Sequence, residues 1–428
     1  MNAGQKQVAI LGAGLTGLLV AEALSRRGDA VVVLEREAQP GGFCRSVNIG
    51  GRRVERYYHH VFPNETPVVE LLNRLDFASD LKWFRVRQGV IQNNTAKAYD
   101  NPWSYLRQAL SPPTDLFFDL RFAARIGAVD LAELDRLPAL AWLRRWQSRT
   151  KVERFWLPLL IKKFGPFAER ISARWLAERV TTRQSSKGWM QRGETLGHLA
   201  GGFFRLTDRL AERCAKQGVT FQFGVEVQKI EVRDGRVLAL DTAQGKLPAG
   251  DAVVSTLASP ALAGLLENHD DEWVRIARAT PYMSCRCVTL LLSRSLSPFY
   301  WLSNLDAADF AAVIEQSKFF DDGTHLIYLP QYIFPTSIEQ KESAKKNAVE
   351  WLSKVFPPFN ADSVSEDIVS IDAFSQPVFL AGDDRQKWQT LRPLANLLAT
   401  DAYLDYPHQR RTMNAAIRRA AAVVELLG

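Results

Sequence analysis

The hydrophobic pattern changes period three times along the chain, and each change predicts an element. Residues 7–11 are almost continuously apolar and run into a glycine turn, which predicts a buried strand. From Thr16 to Arg27 apolar positions recur at helical spacing, and Gly28 stops the run. Residues 30–35 are apolar until the closing acid, as expected of a parallel strand covered on both faces. Together they predict a βαβ unit. The middle of the chain reads as mostly helical, with periodic stretches at 115–128, 137–146 and 155–165 punctuated by proline. Residues 201–218 then give a glycine turn and a helix. Residues 219–257 alternate as strands, with Asp234-Gly235 as a hairpin turn. Stretches 284–293 and 324–334 read as later strands. Residues 394–400 read as a short strand, followed by a loop and a helix over 413–427. There is no internal repeat. The alternation predicts two interwoven domains, one built from 1–78, 196–268 and 375–428, the other from 79–195 and 269–374.

Composition bounds the class without changing this outline. The 428 residues are 46% hydrophobic and 24% charged, enough chain for two or three domain-sized units with a large core. Cys44, Cys214, Cys285 and Cys287 form no disulfide pattern, which predicts a reducing compartment. Cys285 and Cys287 are too closely spaced for the usual zinc pairs and lie in an apolar run, so they read as strand residues. The N-terminal residues lack a signal-peptide pattern, and no apolar run reaches the ~18 residues of a membrane span. The expected location is therefore cytoplasmic.

Net charge is +7, and it is concentrated. Residues 121–192 hold 16 Lys/Arg against 6 Asp/Glu, together with Trp142, Trp146, Trp156, Trp175 and Trp189. Two readings stay open: a surface that meets the inner membrane face or a phosphate-bearing substrate, or a solvated helical face with its tryptophans in the core. No nucleic-acid partner is expected.

The chemistry begins at Gly12-x-Gly14-x-x-Gly17, between the first strand and helix. Gly12 makes the tight turn, Gly14 admits a pyrophosphate close to the backbone, and Gly17 lets helix and strand pack. Leu15 and Thr16 sit at the helix start, whose N–H groups and positive dipole end favour phosphates. Glu35 closes the second strand, where an acid accepts hydrogen bonds from an adenosine ribose. An acid there disfavours the extra phosphate of NADP, and Arg36 can lie against an adenine. Gly41-Gly42 allows a second backbone segment to approach the same dinucleotide, and Arg45 is placed to offset pyrophosphate charge.

These residues, with the segment through Ser46, resemble the FAD fingerprint of glutathione-reductase-type flavoproteins. The similarity is greatest to the branch holding protoporphyrinogen oxidase, phytoene desaturase, amine oxidases and UDP-galactopyranose mutase. The stretches at 201–214, 224–232, 251–257 and 394–423 resemble further elements of that branch, so the likeness spans nearly the whole chain. It implies an α/β fold: a Rossmann-like FAD-binding domain, with a parallel sheet and a β-meander, interwoven with an α+β substrate domain carrying a mainly helical insert. It also implies adenine contact at Val227, a ribityl or pyrophosphate contact at Asp401, and a flavin facing the helix start at Met413 and Asn414. The chain departs from the pattern in having Thr400 before Asp401, and Arg411 and Ala420 where glycines are common.

The implied reaction is hydride transfer between a substrate C–H bond and flavin N5. The implied substrate is bulky and apolar or lipid-phosphate. A non-redox mutase acting on a nucleotide sugar, or a flavin-binding partner protein in a biosynthetic complex, are the alternatives. No Ser-His-Asp order, His-Glu-x-x-His or paired Cys-x-x-Cys competes. Tyr57-Tyr58-His59-His60-Val61-Phe62 lies where this branch approaches the flavin ring. Adjacent histidines on a strand point to opposite faces and have no partner at metal-ligand spacing, so no metal is expected. Tyr58 and His60 share strand parity and are the candidate catalytic face, with Lys163 third and Arg183 and Tyr282 behind it. Oligomeric state is open.

Overall fold

The computed structural model describes residues 5–100, 114–126, 129–184, 193–267, 269, 271–320, 322–334, 341–384, 391–404 and 412–428. The βαβ unit forms as expected: β1 (Gln7–Leu11), α1 (Leu15–Arg27) and β2 (Ala30–Glu35). Val8, Ile10, Val31 and Val33 turn one side of this pair into a helix-covered core, shared with Leu18, Val20 and Leu24 of α1. Gly28 ends α1 at φ 95°, and its N–H returns to Leu24 O and Ser25 O, a left-handed terminus suited to glycine.

Five parallel strands form the first sheet, in the order Leu397–Ala399, Ala252–Ser255, β1, β2, Thr220–Phe223. Helices α1, Phe204–Lys216 and Met413–Leu426 supply the core on one face. The antiparallel meander Val227–Arg233, Arg236–Thr242 and Gly245–Pro248 packs on the other through Ile230, Val237 and Leu240. Its first turn is Asp234-Gly235, both at positive φ, as the hairpin signal predicts.

A seven-stranded sheet forms the second body, in the order Val364–Pro377, Tyr282–Leu292, His325–Ile333, Ala312–Glu315, Trp301–Asn304, Gln88–Gln92, Thr95–Ala98. Along Tyr282–Leu292 the side chains alternate. Val288, Leu290 and Leu292 pack with the helix Lys341–Val355, whereas Cys285 and Cys287 face Tyr57, Tyr300 and Tyr328. Both cysteines are buried strand residues and unbridged.

The expectation of a mostly helical middle holds over 114–184, but strands it did not foresee come first. Strands Leu81–Val86, Gln88–Gln92 and Thr95–Ala98 precede the helices, and Leu81–Val86 pairs with Glu194–Leu199. Each is short and broken by Lys82, Arg85, Gln88, Gln92 or Lys97, so no long apolar run marks it. Tertiary pairing, not intrinsic preference, makes it a strand.

The helices over 114–184 bury their tryptophans. Trp142 and Trp175 are core residues, and Trp146 and Trp156 pack partly against the same cluster. That favours the core reading of these four; Trp189 and Arg411 lie outside the described residues. Among the described residues, no helix is long and apolar enough to cross a membrane.

Candidate active site

The glycine turn shapes the cofactor seat. Gly12 stands at φ 103°, and a Cβ there would lie 2.4 Å from Thr256 Oγ1. A Cβ on Gly17 would lie 2.0 Å from Gly12 O, so only glycine lets α1 start this close to β1. Gly14 is the N-cap of α1, with no side chain capping it, which leaves the first-turn N–H groups at Leu15 and Thr16 for an anion. Gly41 pairs with Gly14 and donates its N–H to Ala13 O at 2.8 Å, and a Cβ on Gly42 would come within 3.1 Å of Gly14 Cα. Two glycine backbones therefore meet at the mouth of the helix.

Glu35 holds this turn. Its Oε2 accepts from Ala13 N at 2.8 Å and its Oε1 from Glu37 N at 3.0 Å. Each oxygen keeps further acceptor capacity for a ribose. Arg36 is exposed beside Glu37 and Glu226. Arg45 is nearly buried and ion-paired with Glu37 at 2.8 Å, so its charge serves the loop. Val227 begins the meander strand two residues after Val225, whose N–H donates to Glu35 O.

At the other end, Asp401 is engaged by the protein. Its Oδ2 accepts from Ser259 N and Oγ, both at 2.7 Å, and its Oδ1 from the Tyr282 hydroxyl. The neighbouring Thr400 hydroxyl is buried with no protein partner. Met413 packs on the helical core, and Asn414 Oδ1 accepts from Val68 N at 3.1 Å. Thr412 caps this helix by accepting from Ala415 N, which takes up one of the N–H groups expected to face the flavin. The uncapped start of α1, the paired glycine backbones and the orphaned Thr400 hydroxyl fit a dinucleotide cofactor with a ribityl-type polar tail.

The histidine segment follows the strand Arg52–Glu55, yet is not itself a regular strand. Reciprocal bonds between Val61 and Gly197, at 2.9 and 2.8 Å, anchor its end. Its side chains nevertheless alternate. Tyr57 donates to Asp372 at 2.6 Å and lies near Phe43. His59 faces Cys44, of the glycine loop, and Glu55. Tyr58 and His60 point the other way, into the rings of Trp301, Tyr300 and Tyr328. Lys163 donates to the Tyr332 hydroxyl at 3.0 Å, and Tyr332 hydrogen-bonds Tyr58. Tyr58, His60 and Lys163 thus belong to one connected wall, with Arg183 over Trp301 at 5.5 Å from the ring centre.

Sequence reasoning missed the group behind this wall. Glu55 is 3% exposed, and its carboxylate accepts from His198 Nε2 at 3.1 Å, Gln316 Nε2 at 2.9 Å and Phe203 N at 3.1 Å. His59 Nδ1 stands 3.4 Å from Glu55 Oε1, an ion-pair contact rather than a well-aligned hydrogen bond. The expectation that the histidines lack a nearby partner is therefore wrong for His59. Burial alone would raise the Glu55 carboxyl, but the imidazoles of His198 and His59 outweigh it and hold it at about 2. Burial likewise opposes charge on His59, yet Cys44 and Glu55 lift it to about 10. His60 goes the opposite way: burial and then the charge of Arg183 push it down to about 3. Its Nδ1 lies 2.9 Å from the Tyr300 hydroxyl. Two adjacent histidines are therefore a cation and a neutral ring at neutral pH. Glu55 lies four residues before His59, the one local signal available; His198, Tyr300, Trp301 and Tyr332 carry none.

Known proteins resemble the chain along its length. The model of the flavin-containing amine oxidoreductases matches residues 15–424. A D-amino acid dehydrogenase of Sinorhizobium medicae is 27% identical over 271 residues, covering 59% of this chain and 61% of that protein. The chain thus spans under two thirds of the length of that curated relative. A 1-hydroxycarotenoid 3,4-desaturase of a Flavobacterium is 22% identical, over 82% of this chain and 77% of the other. Among solved structures, a protein of Exiguobacterium sp. 255-15, described provisionally as a protoporphyrinogen oxidase, superposes with a TM-score of 0.78 at 16% identity. That match covers 100% of this chain and 99% of the other, and it shows a shared fold.

Proposed function

Because the chain belongs to the family of flavin-containing amine oxidoreductases, we propose that it is an FAD-dependent oxidoreductase that dehydrogenates a bulky, mostly apolar small molecule. The observation that carries this reading is the seat itself: an uncapped helix start facing two glycine backbones, with His59 against Cys44 of the glycine loop. The family supports redox chemistry over the nucleotide-sugar rearrangement. Gly12, Gly14, Leu15, Thr16, Gly17, Gly41 and Gly42 would hold the pyrophosphate, Glu35 the ribose, and Thr400 and Asp401 the ribityl region. Bound there, the flavin supplies the redox step by accepting a hydride from a substrate C–H bond.

The protein's part is binding and charge. Tyr58 is held well above the usual phenol range by burial and by Tyr332, so it stays protonated and donates a hydrogen bond. His60 is a neutral ring that orients substrate beside Tyr300. Lys163 fixes a positive charge behind Tyr332. Neither Tyr58 nor His60 is a base near neutrality, whereas His59 holds a proton beside the glycine loop.

The test is anaerobic reduction. Purified protein should be yellow, release FAD on heating, and bleach with a substrate from a panel of apolar C–H donors. The bleaching rate shows no ionisation between pH 5 and 8, because His60 titrates at about 3 and His59 at about 10; it falls as pH rises toward the latter. Protein that cannot take up FAD, or turnover without net redox change, sinks the proposal. A rate inflection near an ordinary histidine value of 6.5 removes these roles from the pair.

The proposal extends to a peripheral contact with anionic membrane. It is supported by one face of the helix Thr114–Ile126, where Phe117 and Leu120 are exposed beside exposed Arg121 and Arg125. Vesicles rich in phosphatidylserine should float the protein at low salt, and Phe117→Ser with Leu120→Ser should abolish flotation. Flotation that survives both changes assigns the contact elsewhere.

A further inference from the structure

Among the described residues His60 has one hydrogen-bond partner, and that partner fixes which ring nitrogen carries the proton. Its Nδ1 lies 2.9 Å from the Tyr300 hydroxyl. Tyr300 is fully buried. Burial, then the carboxylates of Glu55 and Glu194, hold its phenol well above the ordinary range, so it keeps its proton. That hydroxyl has no second hydrogen-bond partner among the described residues. If it accepted from Nδ1–H, its own O–H would stay unpaired in the core, which is costlier than donating to a bare Nδ1. Tyr300 therefore donates. His60 is uncharged at neutral pH and so carries one ring proton, which sits on Nε2. Nε2 has no partner among the described residues, yet it is not one of the orphaned polar atoms sealed from solvent, so it is open to a ligand. It opens among aromatic edges. The rings of Phe62, Tyr300 and Trp301 stand 5.1, 5.8 and 6.4 Å from the imidazole, at 83–87° to it. Neighbouring ring donors are engaged inside the protein, Trp301 Nε1 with Ser303 Oγ at 2.9 Å and the Tyr328 hydroxyl with Glu55 O.

We infer that His60 is a specificity-determining residue: its Nε2–H reads one neutral oxygen acceptor, a carbonyl, ether or hydroxyl oxygen, on an otherwise apolar substrate, and Tyr300 is the positioning residue that holds the donating tautomer. The inference rests on the reading of Tyr58 and His60 as the substrate-facing side. The aromatic rings receive the apolar body by stacking and edge contacts. Once that body covers the N–H, water no longer reaches it. A substrate with an acceptor at this point replaces the lost water contact, and one without it leaves the N–H unpaired. A protonated amine has no lone pair to offer and is refused for the same reason. The selection needs no net charge on the wall.

Three probes with one phenyl body test this: acetophenone, α-methylstyrene, which has a CH2 in place of the carbonyl oxygen, and 1-phenylethylamine. Each is titrated against the FAD-loaded protein by ligand-observed NMR. Acetophenone should bind roughly tenfold or more tighter than either of the others, and its carbonyl stretch should fall on binding. His60→Phe keeps an aromatic ring and should erase the margin over α-methylstyrene. His60→Gln, whose amide N–H can stand where Nε2–H stood, should recover part of it. Without any ligand, proton–nitrogen correlation spectra of protein carrying isotope-labelled histidine should place the His60 proton on Nε2. In Tyr300→Phe both tautomers should appear and the margin should narrow. Equal or tighter binding of α-methylstyrene to the unaltered protein overturns the inference, and so does a His60 proton on Nδ1, a measurement that stands even if no variant folds. A margin that survives His60→Phe overturns it too, because the donor is then another group. FAD content is read separately by absorbance. Protein that takes up no FAD yet keeps the acetophenone margin sinks the flavoprotein reading alone.

Discussion

Replacing Glu55 with Gln lowers the unfolding free energy by about 3 kcal/mol, the lower end of the cost of removing one partner from a buried ion pair. The amide keeps the shape, but its NH2 must face a donor on one side, so the loss combines the charge with at least one hydrogen bond. It leaves His59 buried beside His198 with no carboxylate between them. The pH dependence identifies the mechanism. Glu55 has a depressed pKa, so its contribution is complete above 4.5 and is lost as pH falls toward about 2. His59 has a raised pKa, so its contribution is complete below 6.5 and is lost as pH rises through about 10. The difference between the native chain and the variant is therefore greatest between pH 4.5 and 6.5 and narrows on both sides. Guanidinium denaturation across this range measures it. A pH-independent difference, or one under about 0.5 kcal/mol as at an ordinary surface site, would falsify the ion-pair account.

Gly17→Ala empties the cofactor seat. The new methyl would stand 2.0 Å from Gly12 O, a backbone atom in a turn held by Leu34 O and, through Ala13 N, by Glu35. Neither side is a flexible side-chain end, so α1 must move away from β1. Overpacking of this kind costs about 1–3 kcal/mol. The larger consequence is for binding, because the helix start leaves the Gly41–Gly42 backbone that completes the anion seat. FAD retained after gel filtration should fall roughly tenfold or more, the scale set by ~1.4 kcal/mol of lost contact. Gly28→Ala is the control. That position also has positive φ, but nothing lies within 4 Å of the new Cβ. It costs about 1–2 kcal/mol of backbone strain and leaves FAD content intact. Full flavin occupancy in the Gly17 variant contradicts the packing role assigned to that residue.

The glycine turn and its acid, the proposed cofactor seat, were legible in sequence because their geometry is local. Gly12, Gly14, Gly17 and Glu35 lie within 24 residues of one another, so one strand–turn–helix–strand unit fixes all four. The alternation at 57–60 was also readable, because an extended backbone alternates its side chains even without a regular ladder. The rest of the wall was not. Trp301 and Tyr300 reach Tyr58 and His60 across some 240 residues, and His198 reaches Glu55 across 143. These meetings depend on how the seven-stranded sheet and the Leu81–Val86/Glu194–Leu199 pair pack around the histidine segment. Residues such as Gln316 look like ordinary polar loop positions until that packing brings them to Glu55. The short strands at 81–98 failed for a related reason: their apolar faces are completed only by partners at 194–199 and 301–304.

The order of the first sheet has a consequence for synthesis. β1 borders β2 on one side and Ala252–Ser255 on the other, 244 residues later, and that strand in turn waits for Leu397–Ala399. At about 5–20 residues per second, a nascent chain would carry β1 with one unpaired edge for roughly 10–50 seconds. Its apolar run is the kind of segment that pairs wrongly with another chain. The glycine seat is assembled by local turns long before that edge is covered. Early FAD capture by the growing chain could then act as a folding brace, so riboflavin supply during expression should govern the yield of soluble protein and not only its colour.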